Sequence, residues 1–333
     1  MSSDIREQAL LNEYKGNLYE YLVAASLSSL YSCEANFTMA LTTDFRQMLV
    51  VQESFIREYF PDLLYDLPTL AKTAAEDIFN SLNIKVDSGI DIELIGKAAM
   101  ASHDKRYAEA DILIKTKSNY YPLSIKLSKA HAYVNTKSAG VKSFISKYFE
   151  TSALDTFKIQ NELNLSTDKR IEELCLELHR ENDIEYSNDY TNWISLGLPT
   201  LPGQLEGGSR DIYIKFLYSL NKDIYSSVKK IYDSNSEIFL NSLLPLIGFS
   251  DKDIIQVTTY YLNKNKRYIL YKNTIDIFDN IKDDFDSIKL GDKKENAANF
   301  DIFFKDRTLQ LRLKAMNKFT SKSYKINCSV KIN

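Results

Sequence analysis

Glu20 is the last charge before thirteen uncharged residues, Tyr21 to Cys33, and this transition limits how the chain can fold. Leu11, Tyr14, Leu18, Tyr21, Leu22 and Ala25 recur at three- and four-residue spacing, which predicts a helix with one core face. Glu20 is on the other side of that helix, with Gly16 one turn earlier and Val23, Ala24 and Leu27 one turn later. It therefore stands where the polar face becomes a buried one. Two readings follow: a partly exposed carboxylate closing the wet end of a helix, or one kept beside a cation that offsets its burial.

A chain of 333 residues with 44% hydrophobic content can bury a large core, in two domains or one elaborated domain. No apolar run approaches the roughly 20 residues of a membrane helix. The opening MSSDIREQAL is charged and lacks the apolar centre of a signal peptide, so the expected location is cytoplasmic, with no membrane partner. Cys33, Cys175 and Cys328 lie far apart, and His103, His131 and His179 offer neither zinc-ligand spacing nor a nucleophilic triad. Each cysteine reads as a small buried apolar residue. Gly-rich phosphate loops are absent, which argues against nucleotide-driven chemistry.

The net charge of −3 hides an uneven distribution. Ile112 to Phe149 holds seven lysines and no acid; Arg307 to Asn333 holds seven basic residues and no acid. Segments of this kind attract polyanions, nucleic acid foremost, although a solvated basic face has the same composition.

The expected fold class is mixed α/β. The first 80 or so residues read as helices. IDIELIGKAAM (90–100), EADILIKTK (109–117) and YYPLSIKLSK (120–129) read as consecutive strands, with a turn at KSNYYP. NTKSAG then reads as a turn into an amphipathic helix, VKSFISKYF. Residues 151–290 read as mainly helical, broken by a Pro- and Gly-containing loop at 195–211, and 291–333 as a basic β segment alternating with period two. This gives three expected regions: a core at 1–150, a helical region at 151–290 and a β segment at 291–333.

Side-chain alternation puts Glu109 and Asp111 on one face of a strand, and Ser124 and Lys126 on one face of the next, with Lys129 facing the other way. If these strands pair, Asp111 and Lys126 meet at one site. Asp111, a spacer and SIK ending in Lys126, preceded by KGNLYE on an N-terminal helix and followed by a basic helix, resemble the PD-(D/E)XK nuclease superfamily, the restriction-endonuclease-like fold. The resemblance covers roughly residues 13–150. It implies a mixed sheet flanked by helices and a magnesium-dependent DNA endonuclease of the restriction type, acting on double-stranded DNA, with a homodimer among the arrangements it allows. Asp111 and Glu20 match the family's metal-binding carboxylates, Lys126 its water-activating lysine, and the Ile125 carbonyl a further ligand. Ser124 stands where the family carries a second strand carboxylate. Either Glu20 or Glu109 supplies the missing charge, or the protein is a noncatalytic DNA-binding or structural relative. Lys129, Asn135, Lys137, Ser138 and Lys142 are candidate DNA contacts around the basic helix, with Ser138 readable instead as its N-cap. Arg312, Lys314 and Lys318 are candidates in the tail, where a plain basic sheet face is the other reading.

Overall fold

The computed structural model describes residues 2–85, 89–95, 107, 110–149, 154–249, 253–265, 267–281 and 287–332. In chain order its elements are α1 (Ser2–Leu30), α2 (Glu34–Ala40), α3 (Thr43–Tyr59), α4 (Pro61–Leu82), β1 (Asp91–Leu94), β2 (Ile112–Lys115), β3 (Tyr120–Lys129), β4 (Val134–Gly140), α5 (Val141–Tyr148) and α6 (Leu154–Glu181). There follow α7 (Thr191–Ser195), α8 (Gly207–Ser234), α9 (Ser236–Leu246), β5 (Ile255–Lys264), β6 (Arg267–Asp276), α10 (Phe278–Ile281), β7 (Lys289–Leu290), β8 (Asn299–Phe303), β9 (Arg307–Ala315) and β10 (Tyr324–Ile332). The fold is mixed α/β, and among the described residues no helix is long and apolar enough to cross a membrane.

The chain forms two compact units, 1–132 with 251–283 and 133–250 with 284–333. This differs from a division into consecutive regions in two ways. The stretch IQVTTYYLNK, within the expected helical region, is the strand β5; its β-branched and aromatic residues favour extended structure, and both of its faces are buried over most of its length. NTKSAG is not a turn but most of β4, which pairs with β10 and so brings the basic helix α5 into the second unit beside the C-terminal strands.

In the first unit the sheet order is β1-β2-β3-β5-β6. All neighbours are antiparallel except β3 and β5, which run parallel with Lys126 opposite Thr258. Helix α1 packs against α3 and α4 and also against β1 and β3, which explains its uncharged second half: Tyr19, Val23, Ala24 and Leu27 are all buried. Ala71, Ala74 and Ala75 give α4 a small-residue face within the same core. Pro61 opens α4, where a missing N–H costs nothing, and Asn83 closes it in the left-handed conformation (φ 46°). The Asp66 carboxylate accepts from Arg267 Nε at 3.0 Å, Arg267 Nη2 at 2.6 Å and the Tyr268 N–H at 2.7 Å, which ties α4 to the start of β6. The Arg267 hydrogen bond holds this carboxyl below its ordinary pKa.

In the second unit β4-β10-β9-β8-β7 form a wholly antiparallel sheet. Its inner face, Leu309, Leu311 and Leu313 with Ile326, Cys328 and Val330, is buried. Aromatic side chains of α8 meet it, Phe216 against Tyr324 and Tyr225 against Phe300. Phe319, in the hairpin between β9 and β10, is fully buried among Tyr190, Trp193 and Tyr213.

Truncating Phe319 empties the centre of that aromatic cluster. Phe319→Ala is expected to destabilise the second unit by about 3–5 kcal/mol. Urea unfolding followed by Trp193 fluorescence reads this locally, because Trp193 is the chain's single tryptophan and meets the Phe319 ring edge-on at 6.0 Å. A midpoint unchanged from wild type would mean the cluster closes over the gap.

Candidate active site

Asp111 lies one residue before β2, where pairing with β3 ends at Ile112 and Leu123. Its backbone remains in the sheet: its N–H donates to Leu123 O at 2.8 Å, and its carbonyl accepts from Ile95 N at 3.0 Å. Its carboxylate takes over the next position of the ladder. Oδ2 accepts from the Ile125 N–H at 2.7 Å, from Lys126 Nζ at 3.1 Å and from Ser124 Oγ at 3.4 Å. The Ile125 carbonyl shares an edge with its own N–H, so the strand turns it toward Asp111 as well.

The structure thus brings Asp111, Ser124, Ile125 and Lys126 together. Glu20 belongs to the same group through its charge. Its carboxyl is pushed up to about 8, first by burial and then by the negative charge of Asp111, with Lys126 opposing both. The Lys126 ammonium thus bonds to one carboxylate and acts on the other through its charge. The Lys126 side chain is 40% exposed and that of Asp111 15%, so the cation reaches solvent while the carboxylate is sheltered. Glu109 lies outside the described residues.

What orients Glu20 is a buried polar chain that starts at its neighbour. Tyr19 OH donates to Thr259 Oγ1 at 2.6 Å, Thr259 Oγ1 to Asn273 Oδ1 at 2.6 Å, and Asn273 Nδ2 to Asp77 Oδ2 at 2.6 Å. These bonds link α1, β5, β6 and α4 and so fix the rotation of α1 about its own axis. Close by on α1, Lys15 Nζ donates to Tyr261 OH at 3.3 Å, and burial pulls its pKa down. None of these residues was among the sequence candidates. The partners stand some 240 positions apart in sequence, and single polar residues in apolar runs carry no signal of pairing.

Among the described residues, no group of three or more His, Cys, Asp and Glu side chains is placed to hold a metal ion. The donors on offer are all oxygens: the Glu20 and Asp111 carboxylates, the Ser124 hydroxyl and the Ile125 carbonyl.

The remaining candidates are elsewhere. Lys129 is exposed at the end of β3 in the first unit. Asn135, Lys137 and Ser138 lie along β4 in the second. Ser138 does not cap α5, whose N-cap is Gly140. Lys142, on α5, forms an exposed ion pair with Asp168 of α6. Arg312 and Lys314 are exposed on β9, and Lys318 is exposed in the following hairpin.

Glu20 makes stability depend on pH in a definite direction. Between its ordinary value of 4.5 and about 8 the folded chain keeps a proton that the unfolded chain has lost, so stability falls as pH rises through this window. In EDTA, thermal melts of the wild type are expected to decline from about pH 5 to 8, whereas Glu20→Gln loses this decline and melts higher than wild type at pH 8. Parallel curves for the two proteins would remove Glu20 from the site.

No protein-family model, curated protein or solved structure matches the chain. What it does has to be read from these side chains themselves.

Proposed function

We propose that the chain is a magnesium-dependent DNA endonuclease, a member of the PD-(D/E)XK superfamily in which a serine replaces the second strand carboxylate. The observation that supports it is the convergence of Glu20, Asp111 and Lys126, from a helix and the divergent ends of two strands, on one partly sheltered site. The donor set fits magnesium: hard oxygens, two of them from carboxylates, and among the described residues no soft sulfur or imidazole in the group. Asp111, Glu20 and the Ile125 carbonyl would hold the ion, which when bound offsets charge developing on the phosphate and lowers the pKa of a water.

The chain's own groups do the positioning. The Ile125 N–H and Ser124 hydroxyl fix Asp111 Oδ2 and leave Oδ1 outside those bonds. Lys126, anchored through the same oxygen and open to solvent, orients the attacking water and places a positive charge beside the phosphate. Glu20 supplies the second negative charge that Ser124 does not. With an ion held there, Glu20 would carry its negative charge in place of the proton it otherwise keeps.

A second reading, a noncatalytic DNA-binding relative, is favoured by Ser124 alone, because a hydroxyl is a weaker ligand than the carboxylate expected there.

Plasmid incubated with the protein and magnesium is expected to be cut, and EDTA to prevent it. Asp111→Ala and Lys126→Ala are each expected to reduce cleavage by at least ~10²–10⁴-fold, the size associated with a lost acid–base group, while duplex binding is largely retained. Near-native cutting by either variant refutes the assignment. Wild-type binding without any cutting selects the second reading.

The magnesium dependence is a separate test. Glu20→Gln is expected to move the magnesium midpoint for cleavage upward and to abolish the magnesium-induced rise in melting temperature at pH 8. An unchanged midpoint would return Glu20 to a structural role.

A further inference from the structure

The second unit carries an open sheet face with an unusual charge pattern. Leu309, Leu311, Leu313, Ile326, Cys328 and Val330 point inward to the helices, so the alternate residues of β8, β9 and β10 form the outer face. There Arg312 stands in register between Asn299 and Asn327, and Lys314 lies directly opposite Lys325. Like charges facing each other across strands are unfavourable in a sheet that serves only as a wall. Partial burial, together with Arg312 and Lys325, lowers the Lys314 pKa.

Four cations on the unit's helices, Lys142, Arg170, Lys229 and Lys230, are matched with Asp168, Asp223, Asp233 and Glu162. Among the described residues Arg312, Lys314 and Lys325 have no such ion pair. Asp301 is the single acid in the strands of this sheet, and its carboxylate is engaged by Gln310 Nε2 at 3.1 Å. Asn327 Oδ1, beside Arg312, is buried without a hydrogen-bond partner. The outer face thus gathers three cations without an ion pair beside an unpartnered polar atom.

We infer that this outer face is a docking surface for duplex DNA, with Arg312, Lys314 and Lys325 on the phosphates and Lys318 extending the row into the hairpin. It rests on the reading of DNA as the substrate and assigns the grip to the second unit. A duplex fits better than a single strand because the face offers few exposed aromatic rings, Phe303 at the margin and Tyr133 just before β4, and splayed bases require several rings to stack on.

The test is anisotropy binding of the full chain to a fluorescent random-sequence duplex in EDTA, across a range of salt concentrations. The variants are R312Q/K314Q/K325Q, the charge-keeping R312K/K314R/K325R, and K229Q/K230Q as a control taken from the paired helix cations. Three lost phosphate contacts are expected to weaken binding and to flatten the slope of log affinity against log salt by about 2.7. The charge-keeping triple and the control should stay close to wild type. Unchanged affinity and slope in the Gln triple with an unaltered melt overturns the inference, as does an equal loss in the control. Tighter wild-type binding to the corresponding single strand overturns the choice of duplex. Because EDTA silences cutting, failure of the nuclease reading shows separately, as a wild type that binds with the full salt slope but leaves plasmid intact in magnesium.

Discussion

The carboxylate of Asp111 takes the hydrogen bond that a strand would otherwise make, and the site depends on this substitution. Past Leu123 the ladder with β2 stops, and the Ile125 N–H would be left without a strand partner in a part-buried position, at a cost of the order of 1–3 kcal/mol. A side chain one residue before β2 is short enough to stay in register and anionic enough to make that bond a strong one, 2.7 Å long. The same oxygen then collects Lys126, the next residue along β3. Structural satisfaction and chemical placement are here one interaction. Removing Asp111 therefore exposes a backbone donor as well as deleting a negative charge, and its neutral isostere Asn separates the two effects, since its amide oxygen can keep the Ile125 bond without the charge.

Against that anchor Glu20 is the strained member. Its helix is wedged between α3, α4 and the sheet, and the buried chain from Tyr19 to Asp77 prevents the helix from rolling to relieve the carboxyl. Burial and the charge of Asp111 both oppose its ionisation, and Lys126 offsets them only in part. A fold selected for stability alone would place a neutral residue there. Local rules broken in one place, with neighbours arranged to keep them broken, mark function more often than accident.

The sequence made some of this legible and hid the rest for physical reasons. Strict alternation marked β8, β9 and β10, because a sheet with one dry face writes its period into the chain, and β3 coincides with the run YYPLSIKLSK, read from its Ile and Leu content beside a turn. The site residues were readable from their order along the chain, since α1, β2 and β3 follow one another in the fold as in the sequence. β5 was read as helical because a strand buried on both faces is nearly continuous in apolar and aromatic residues and loses the alternation. β4 was read as a turn because Asn, Ser and Gly suit turns, although an edge strand with one neighbour accepts them too. The ion pair of Lys142 with Asp168 was not legible, because its partner comes from the next helix.

The one parallel pair, β3 with β5, has a consequence for how the first unit is completed. Parallel strands need a crossover, usually a single helix, whereas here the chain leaves after Lys129, builds β4 and helices α5 to α9 of the second unit, and returns at Ile255. Glu20, Asp111 and Lys126 all precede this excursion. Thr259 and Asn273, which lock Tyr19 and hence the turn of helix bearing Glu20, come after it. The carboxylates can therefore gather on the β1 to β3 hairpins and α1 early, but their fixed geometry has to wait for a long-range closure with its own entropy cost. A cluster whose charged members are local and whose rigidity is nonlocal takes its final geometry only when the whole first unit has folded, with the insertion already made.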